Sequence, residues 1–455
     1  MPGNIRKSLL QFIFSGSYMK RWNDKLRYME LMEIDKQAHK MIIAWLLCRL
    51  AGRGKSRAEL LCLEEEVVEG GIFDYLFRLV ITDIKPPILY RIKENPDHYQ
   101  RLARWVLAEA KPHVHPLDGE FWERFVRRAT ATEHQSPASE ILAAAHAYSS
   151  AWEFRLLSPL NNAFDDEMPD IRSNFIKILA AHSHLPGMEE LLPGLDPLPL
   201  QGDGPATRVF SPCDASSAAD TARCGDALFP GRSGPLPALS RFANLCGQLR
   251  FQKRWSQTPR IPETSVMGHM FMVACYVYFL SIRIGACRAR RVNNFFSGLF
   301  HDLPEVLTRD IISPVKKSFQ DLGQLIREYE NSELERRIFA PLEKEGHTCV
   351  VARLGYYLGS DSGSEFDDTV IEDGRVVKTD FDALQGRYNQ DEYDPKDGEV
   401  LKICDILAAY IEAYTAMRNG ITSDHIQQAF WRMREQNGKR MLGNIHIGAL
   451  FTDFD

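Results

Sequence analysis

The 455 residues are 44% hydrophobic and 25% charged, with 55 Lys and Arg against 61 Asp and Glu for a formal net charge of −6. That is the composition of an ordinary globular chain of about two or three domains. The mild acidity and the lack of a dense Lys/Arg stripe argue against broad nucleic-acid binding, and the short RARR run at 288–291 reads as a solvated face or a helix end. Nine cysteines without a CxxC pair suggest neither a disulfide framework nor a zinc ribbon, which points to a reduced, cytoplasmic chain. The apolar runs Met41–Cys48 and Phe271–Ile282 fall short of the roughly 18–20 residues that cross a bilayer, so no membrane helix is expected. Leu9–Phe14 after Arg6 and Lys7 mimics a short signal peptide, but Gln11 interrupts it and no small-residue cleavage site follows; export is not expected.

In chain order, helical spacing appears at Lys36–Leu50, Gln100–Ala110, Ser139–Leu157, Val266–Ile282, Asp321–Phe339 and Gly398–Met417, whereas alternating β-branched runs are scarce. The expected fold is all-α. Residues 191–237 turn to Pro, Gly, Ser, Ala and Asp, a texture that buries little apolar surface. This divides the chain into a helical domain at 1–190, a linker or mobile insertion at 191–237, and a second helical domain at 238–455. The acidic stretch Ser360–Arg375 reads as a solvated loop, with a lid as the minor alternative.

The two helical parts repeat one another. GIFDYLFRLVITDIKPPI at 71–88 aligns without gaps to GLFHDLPEVLTRDIISPV at 298–315. Glu33 lies six residues before His39 as Glu263 does before His269, and Glu140–Glu153 aligns with Glu399–Glu412. Each part has an Arg-Trp pair upstream, although Trp22 precedes His39 by seventeen residues and Trp255 precedes His269 by fourteen. Three blocks in one order imply a tandem duplication.

His269, His301, Asp302 and Asp405 all fall within the repeated blocks of the second copy. Two imidazoles and two carboxylates suit one divalent ion such as Mn²⁺, Co²⁺, Fe²⁺, Mg²⁺ or Zn²⁺. On a helix, neighbouring side chains diverge by about 100°. His301 and Asp302 can therefore share an ion only in a crevice closed by other helices, for which His269 and Asp405 are the candidates. Such an ion polarises a phosphoryl group and acidifies water, the two contributions that metal-assisted hydrolysis needs.

The order H…HD…D resembles the HD-domain phosphohydrolase superfamily, and HDLPEVLTRDIISPVK with an Arg-Trp pair and KxxDxLxAY resembles its bacterial 5′-deoxynucleotidases over about Leu239–Gly420. The resemblance implies His269, His301, Asp302 and Asp405 as metal ligands. It implies Glu305 as the group that orients or deprotonates water, and Asp310 as a contact to the sugar or leaving oxygen. Arg254 would hold the phosphate, Trp255 would pack where a 2′-hydroxyl would otherwise fit, and Lys316 is a further phosphate candidate. The family reads Glu-His-Ser where this chain has Gly268-His269-Met270. The expected activity is phosphate release from deoxynucleoside 5′-monophosphates. Hydrolysis of a triphosphate or another small phosphorylated nucleoside, and a nucleotide-binding scaffold without turnover, are the alternatives.

In the aligned first copy Asp74-Tyr75 replaces His-Asp, Arg78 replaces Glu305 and His146 replaces Asp405, while His39 and Asp83 persist. That copy is expected to be a catalytically silent HD-like repeat. The assembly is expected to be a pseudo-dimeric monomer or a homodimer.

Overall fold

The computed structural model describes residues 5–131, 136–195, 235–308, 322–443 and 445–454. The all-α expectation holds: helices carry nearly all the regular structure, and the sheets among the described residues are three two-stranded antiparallel hairpins. Six helices position the site: α1 (Glu33–Ala51), α2 (Arg57–Ile81), α3 (Pro137–Asn161), α4 (Val266–Arg283), α5 (Arg288–Phe300) and α6 (Gly398–Arg418). α1 packs on α2 and α3, α4 packs on α5 and α6, and α1 also lies against α4. One apolar core runs through both groups, from Leu9 and Trp45 to Phe271 and Tyr410.

Local chemistry sets the helix starts. Ser56 and Glu59 form a reciprocal capping box at α2, and Ser265 caps α4 by accepting from the Gly268 N–H. α1 and α4 are buried around almost their whole circumference, as a helix without a polar face must be. α4 alone among the described residues is long and apolar enough to cross a membrane, and 89% of it is buried inside the protein. It crosses α5 closely because position 298 is glycine: a Cβ there would stand 2.7 Å from the Ala274 Cα.

Two sequence expectations change. The RARR run does stand at a helix end, the start of α5, and Arg288 is exposed, but Arg290 is fully buried and donates two bonds to the equally buried Asp397, at 2.7 and 2.5 Å. Arg288 and Arg291 both reach Glu65 on α2. The stretch 360–375 is not simply a solvated loop, because Thr369–Glu372 pairs antiparallel with Arg375–Lys378 and Thr369 and Val370 are buried. Alternation in TVIE is too short to show against the surrounding acidic residues. Of 191–237, only 191–195 and 235–237 lie within the described residues.

α1, α3 and the segment before α4 meet around Arg250, which is 1% exposed. Its guanidinium donates to Glu153 at 2.9 Å and to His39 Nδ1 at 3.1 Å, and sits 4.4 Å above the Trp152 ring. His39 Nε2 donates to the Ala243 carbonyl at 3.1 Å. Removing one partner of a buried charge pair typically costs about 3–5 kcal/mol, because the other is left uncompensated. Arg250→Met should lower unfolding stability by about that amount, read from urea denaturation.

Candidate metal centre

His269 stands in the second turn of α4, His301 closes α5 and Asp405 lies on α6. The His301-Asp302 pair therefore sits at a helix end rather than inside a helix. The chain turns at Asp302 and restarts as a short helix at Glu305, which turns both side chains toward the same space.

The donor atoms converge. His269 Nε2 is 3.0 Å from Asp405 Oδ1 and 3.7 Å from Asp302 Oδ2, and His301 Nε2 is 3.3 Å from Asp302 Oδ2 and 3.9 Å from Asp405 Oδ1. Such edges surround a single ion whose ligands lie at roughly 2.0–2.2 Å. His301 Nδ1 donates to the Gly298 carbonyl at 2.8 Å, which leaves the Nε2 lone pair facing the cluster. His269, His301 and Asp302 thus lie close enough together to hold one divalent cation, with Asp405 beside both imidazoles.

The electrostatics agree. Burial disfavours the His301 imidazolium, yet Asp302 and then Asp405 outweigh it and raise its pKa to about 9. Burial likewise opposes ionisation of Asp302 and Asp405, but the neighbouring imidazoles, and Arg254 for Asp302, hold both carboxyls below their usual range. The pocket attracts whatever positive charge is available.

Glu412 organises the rim. This fully buried carboxylate accepts from Trp255 Nε1 at 2.8 Å, Arg254 Nε at 3.3 Å and Thr264 Oγ1 at 2.7 Å, and stands 3.9 Å from His269 Nδ1. Arg254 also reaches Asp302 at 3.4 Å. Half-buried Trp255 adopts φ 56°, a left-handed conformation that its anchored indole holds in place. Glu305 is 8% exposed, one turn beyond Asp302. Asp310 and Lys316 lie outside the described residues.

Sequence reasoning missed Glu365, whose half-buried carboxyl feels both His301 and Asp302 and is raised chiefly by burial. It comes from the acidic stretch, so a part of that segment does face the site. The Gly268 departure also has a cause: a Cβ there would come within 2.7 Å of Asp35 Oδ1 and 2.9 Å of the Ile34 side chain, both on α1.

A second cluster, Glu190, Glu345 and His347, is as compact as His269, His301 and Asp302. Its imidazole is already committed. Nδ1 accepts from Arg53 at 2.9 Å and Nε2 faces Glu190 at 2.8 Å, so the ring carries its proton on Nε2 and has no lone pair for a metal.

Residues 246–434 match the family model described as HD domain. No curated protein and no solved structure matches the chain significantly. The match supports the HD-domain phosphohydrolase superfamily for this segment, and with it a metal-dependent phosphohydrolase in general. The matched segment contains His269, His301, Asp302 and Asp405. Elemental analysis of the purified protein should find one divalent ion per chain, lost in Asp302→Ala and retained in His347→Gln.

Proposed function

We propose that the chain is a metal-dependent phosphomonoesterase that releases inorganic phosphate from deoxynucleoside 5′-monophosphates. The observation that carries this reading is the convergence of His269, His301, Asp302 and Asp405 beside Arg254, a guanidinium that stays charged among four carboxylates. A bound divalent ion would supply Lewis acidity at phosphorus and a more acidic water. Arg254 presents forked donors to the phosphate oxygens. Glu305 takes a proton from the attacking water as the P–O5′ bond breaks and gives it up, through solvent, to the departing 5′-oxygen, which leaves as the hydroxyl. Asp310 assists that oxygen or the sugar, and Lys316 adds charge toward the phosphate; both roles rest on the sequence resemblance. Trp255, locked by Glu412, occupies the space a 2′-hydroxyl would need.

The packing of α1 against α4 supports a pseudo-dimeric monomer, in which the first 190 residues cover the face that a second subunit would use. The substrate needs a water-filled approach and no membrane or nucleic-acid surface, consistent with a cytoplasmic enzyme. Light scattering should give one chain per particle.

The test of activity is phosphate release from matched deoxyribo- and ribonucleoside 5′-monophosphates and one deoxynucleoside triphosphate, with Mn²⁺ or Co²⁺. Deoxy-selective monophosphate cleavage is expected, falling by at least 10³-fold in Asp302→Ala, the scale of losing an essential metal ligand. Triphosphate cleavage alone would overturn the substrate. In Trp255→Ala the preference for deoxyribose over ribose should fall by about tenfold or more, the scale of one lost steric contact.

A further inference from the structure

The backbone around the metal centre occurs a second time near the N-terminus. Lys20 pairs with Met32 as Lys253 pairs with Ser265, and the Glu33 N–H donates to the Met19 carbonyl as the Val266 N–H donates to that of Gln252. Trp22 and Trp255 share the left-handed conformation, at φ 58° and 56°. Arg21 Nε and Trp22 Nε1 donate to buried Glu153 at 2.7 and 3.0 Å, as Arg254 and Trp255 donate to Glu412.

This register corrects the sequence alignment. The offset that carries Lys20 to Lys253 and Met32 to Ser265 carries Lys36, not His39, to His269, and Lys36 follows Trp22 by the same fourteen residues that separate Trp255 from His269. Lys36 Nζ meets His146 Nδ1 at 2.5 Å, where His269 Nε2 meets Asp405 at 3.0 Å. Asp74, aligned with His301, receives Lys40 at 2.6 Å and Arg128 at 2.9 Å. Tyr75, aligned with Asp302, donates instead to the Ile13 carbonyl. Arg78, aligned with Glu305, reaches Glu33 at 3.4 Å and Asp83 at 3.1 Å.

The charge balance differs. Around the metal centre the guanidiniums of Arg254 and Arg260 stand against the carboxylates Asp302, Glu305, Asp405 and Glu412, a deficit that a divalent cation fills. Around Lys36 the cationic side chains Arg21, Lys40, Arg78 and Arg128 already balance Glu33, Asp74, Asp83 and Glu153 before Lys36 itself is counted, so no cation is called for. Lys36 is completely buried, and His146 is its side-chain hydrogen-bond partner among the described residues, although an ammonium can donate three bonds. Desolvation draws Lys36 well below its ordinary pKa, with Arg21 and Lys40 adding to the effect and Glu33 opposing it. An incoming anion would restore its charge. Water reaches this place: His146 is exposed, Asp74 is 35% exposed, and Arg21 matches Arg254 at 12%.

We propose that the N-terminal half holds a second, non-hydrolytic site for a phosphate monoester dianion, in which Lys36 Nζ occupies the place of the metal and Arg78 replaces the water-handling glutamate. Bound there, the phosphate takes the unused Lys36 donors and the outer edges of Arg21 and Arg78, and no carboxylate is placed to activate water. The proposal rests on the repeated backbone and not on hydrolysis at the C-terminal centre.

The test is calorimetric titration of deoxyadenosine 5′-monophosphate, and separately of inorganic phosphate, into full-length Asp302→Ala protein with a chelator present. One saturable site per chain is expected without turnover. Arg78→Gln and Lys36→Met should each weaken it at least tenfold. Because Lys36 is buried and its replacement threatens folding, the partly exposed Arg78→Gln variant, with an unchanged melting temperature, decides the matter. Absence of saturable binding in the chelated Asp302→Ala protein, or an affinity untouched by Arg78→Gln, overturns the proposal. Failure of the wild type to hydrolyse nucleotides would leave this result unaffected and would overturn only the enzymatic reading.

Discussion

A buried glutamate on a long helix anchors each Arg-Trp loop. Glu412 cannot lose its partners cheaply, since an ionised carboxylate out of water needs its hydrogen bonds, and those partners are Arg254, Trp255 and Thr264. Burial would raise the Glu412 carboxyl, yet the neighbouring cations, Arg254 foremost, hold it below its usual range. It thereby ties Arg254, Trp255 and the helix carrying Asp405 into one rigid piece. Arg290 and Asp397 do the same at the other end: they are fully buried and join α5, which ends at His301, to the start of α6. Between these two fixed points the ligands have little freedom to part, which is the preorganisation a metal site needs.

Glu153 applies the same constraint in the N-terminal half, with an added partner in Arg250. Once such a carboxylate is buried, positive charge must come from somewhere. In one half imidazoles and carboxylates face one another; in the other, α1 brings the buried amines of Lys36 and Lys40. Both solutions keep the loop geometry, down to the positive φ of the tryptophan. What differs is the side chain that follows, Glu305 in one half against Arg78 in the other.

The helices were legible because their apolar positions recur over many turns, and the four ligands were legible because side-chain chemistry and order survive in the primary structure. Glu365 was not, since its role depends on a hairpin bringing a loop carboxyl near His301. The pairing of His39 with His269 misled because a shared histidine outweighed loop length. The equal spacing from Trp22 to Lys36 and from Trp255 to His269 was the truer signal. Arg290 looked solvated because its partner Asp397 is more than a hundred residues away, and a buried ion pair leaves no local periodicity. Composition shows charge but not what compensates it.

Gly268 connects the two halves to the chemistry. It precedes a metal ligand, yet its size is dictated by Asp35 and Ile34 on α1, and Ser265, the cap of α4, donates to Asp35 at 2.5 Å. By the register of the Arg-Trp loops, Asp35 is the residue equivalent to Gly268, so corresponding residues of α1 and α4 face one another, as isologous packing about a two-fold axis requires. The two sides of that axis are not identical. Burial raises the Asp35 carboxyl to about 6 despite the Ser265 hydroxyl, so one side of the axis carries a polar group that the other makes room for by losing its Cβ. The backbone that sets His269 is therefore shaped from the first half, and α4, buried around nearly its whole circumference, could not keep its position with that half removed. Fixed in this way, one asymmetric contact holds the two halves together as a single core.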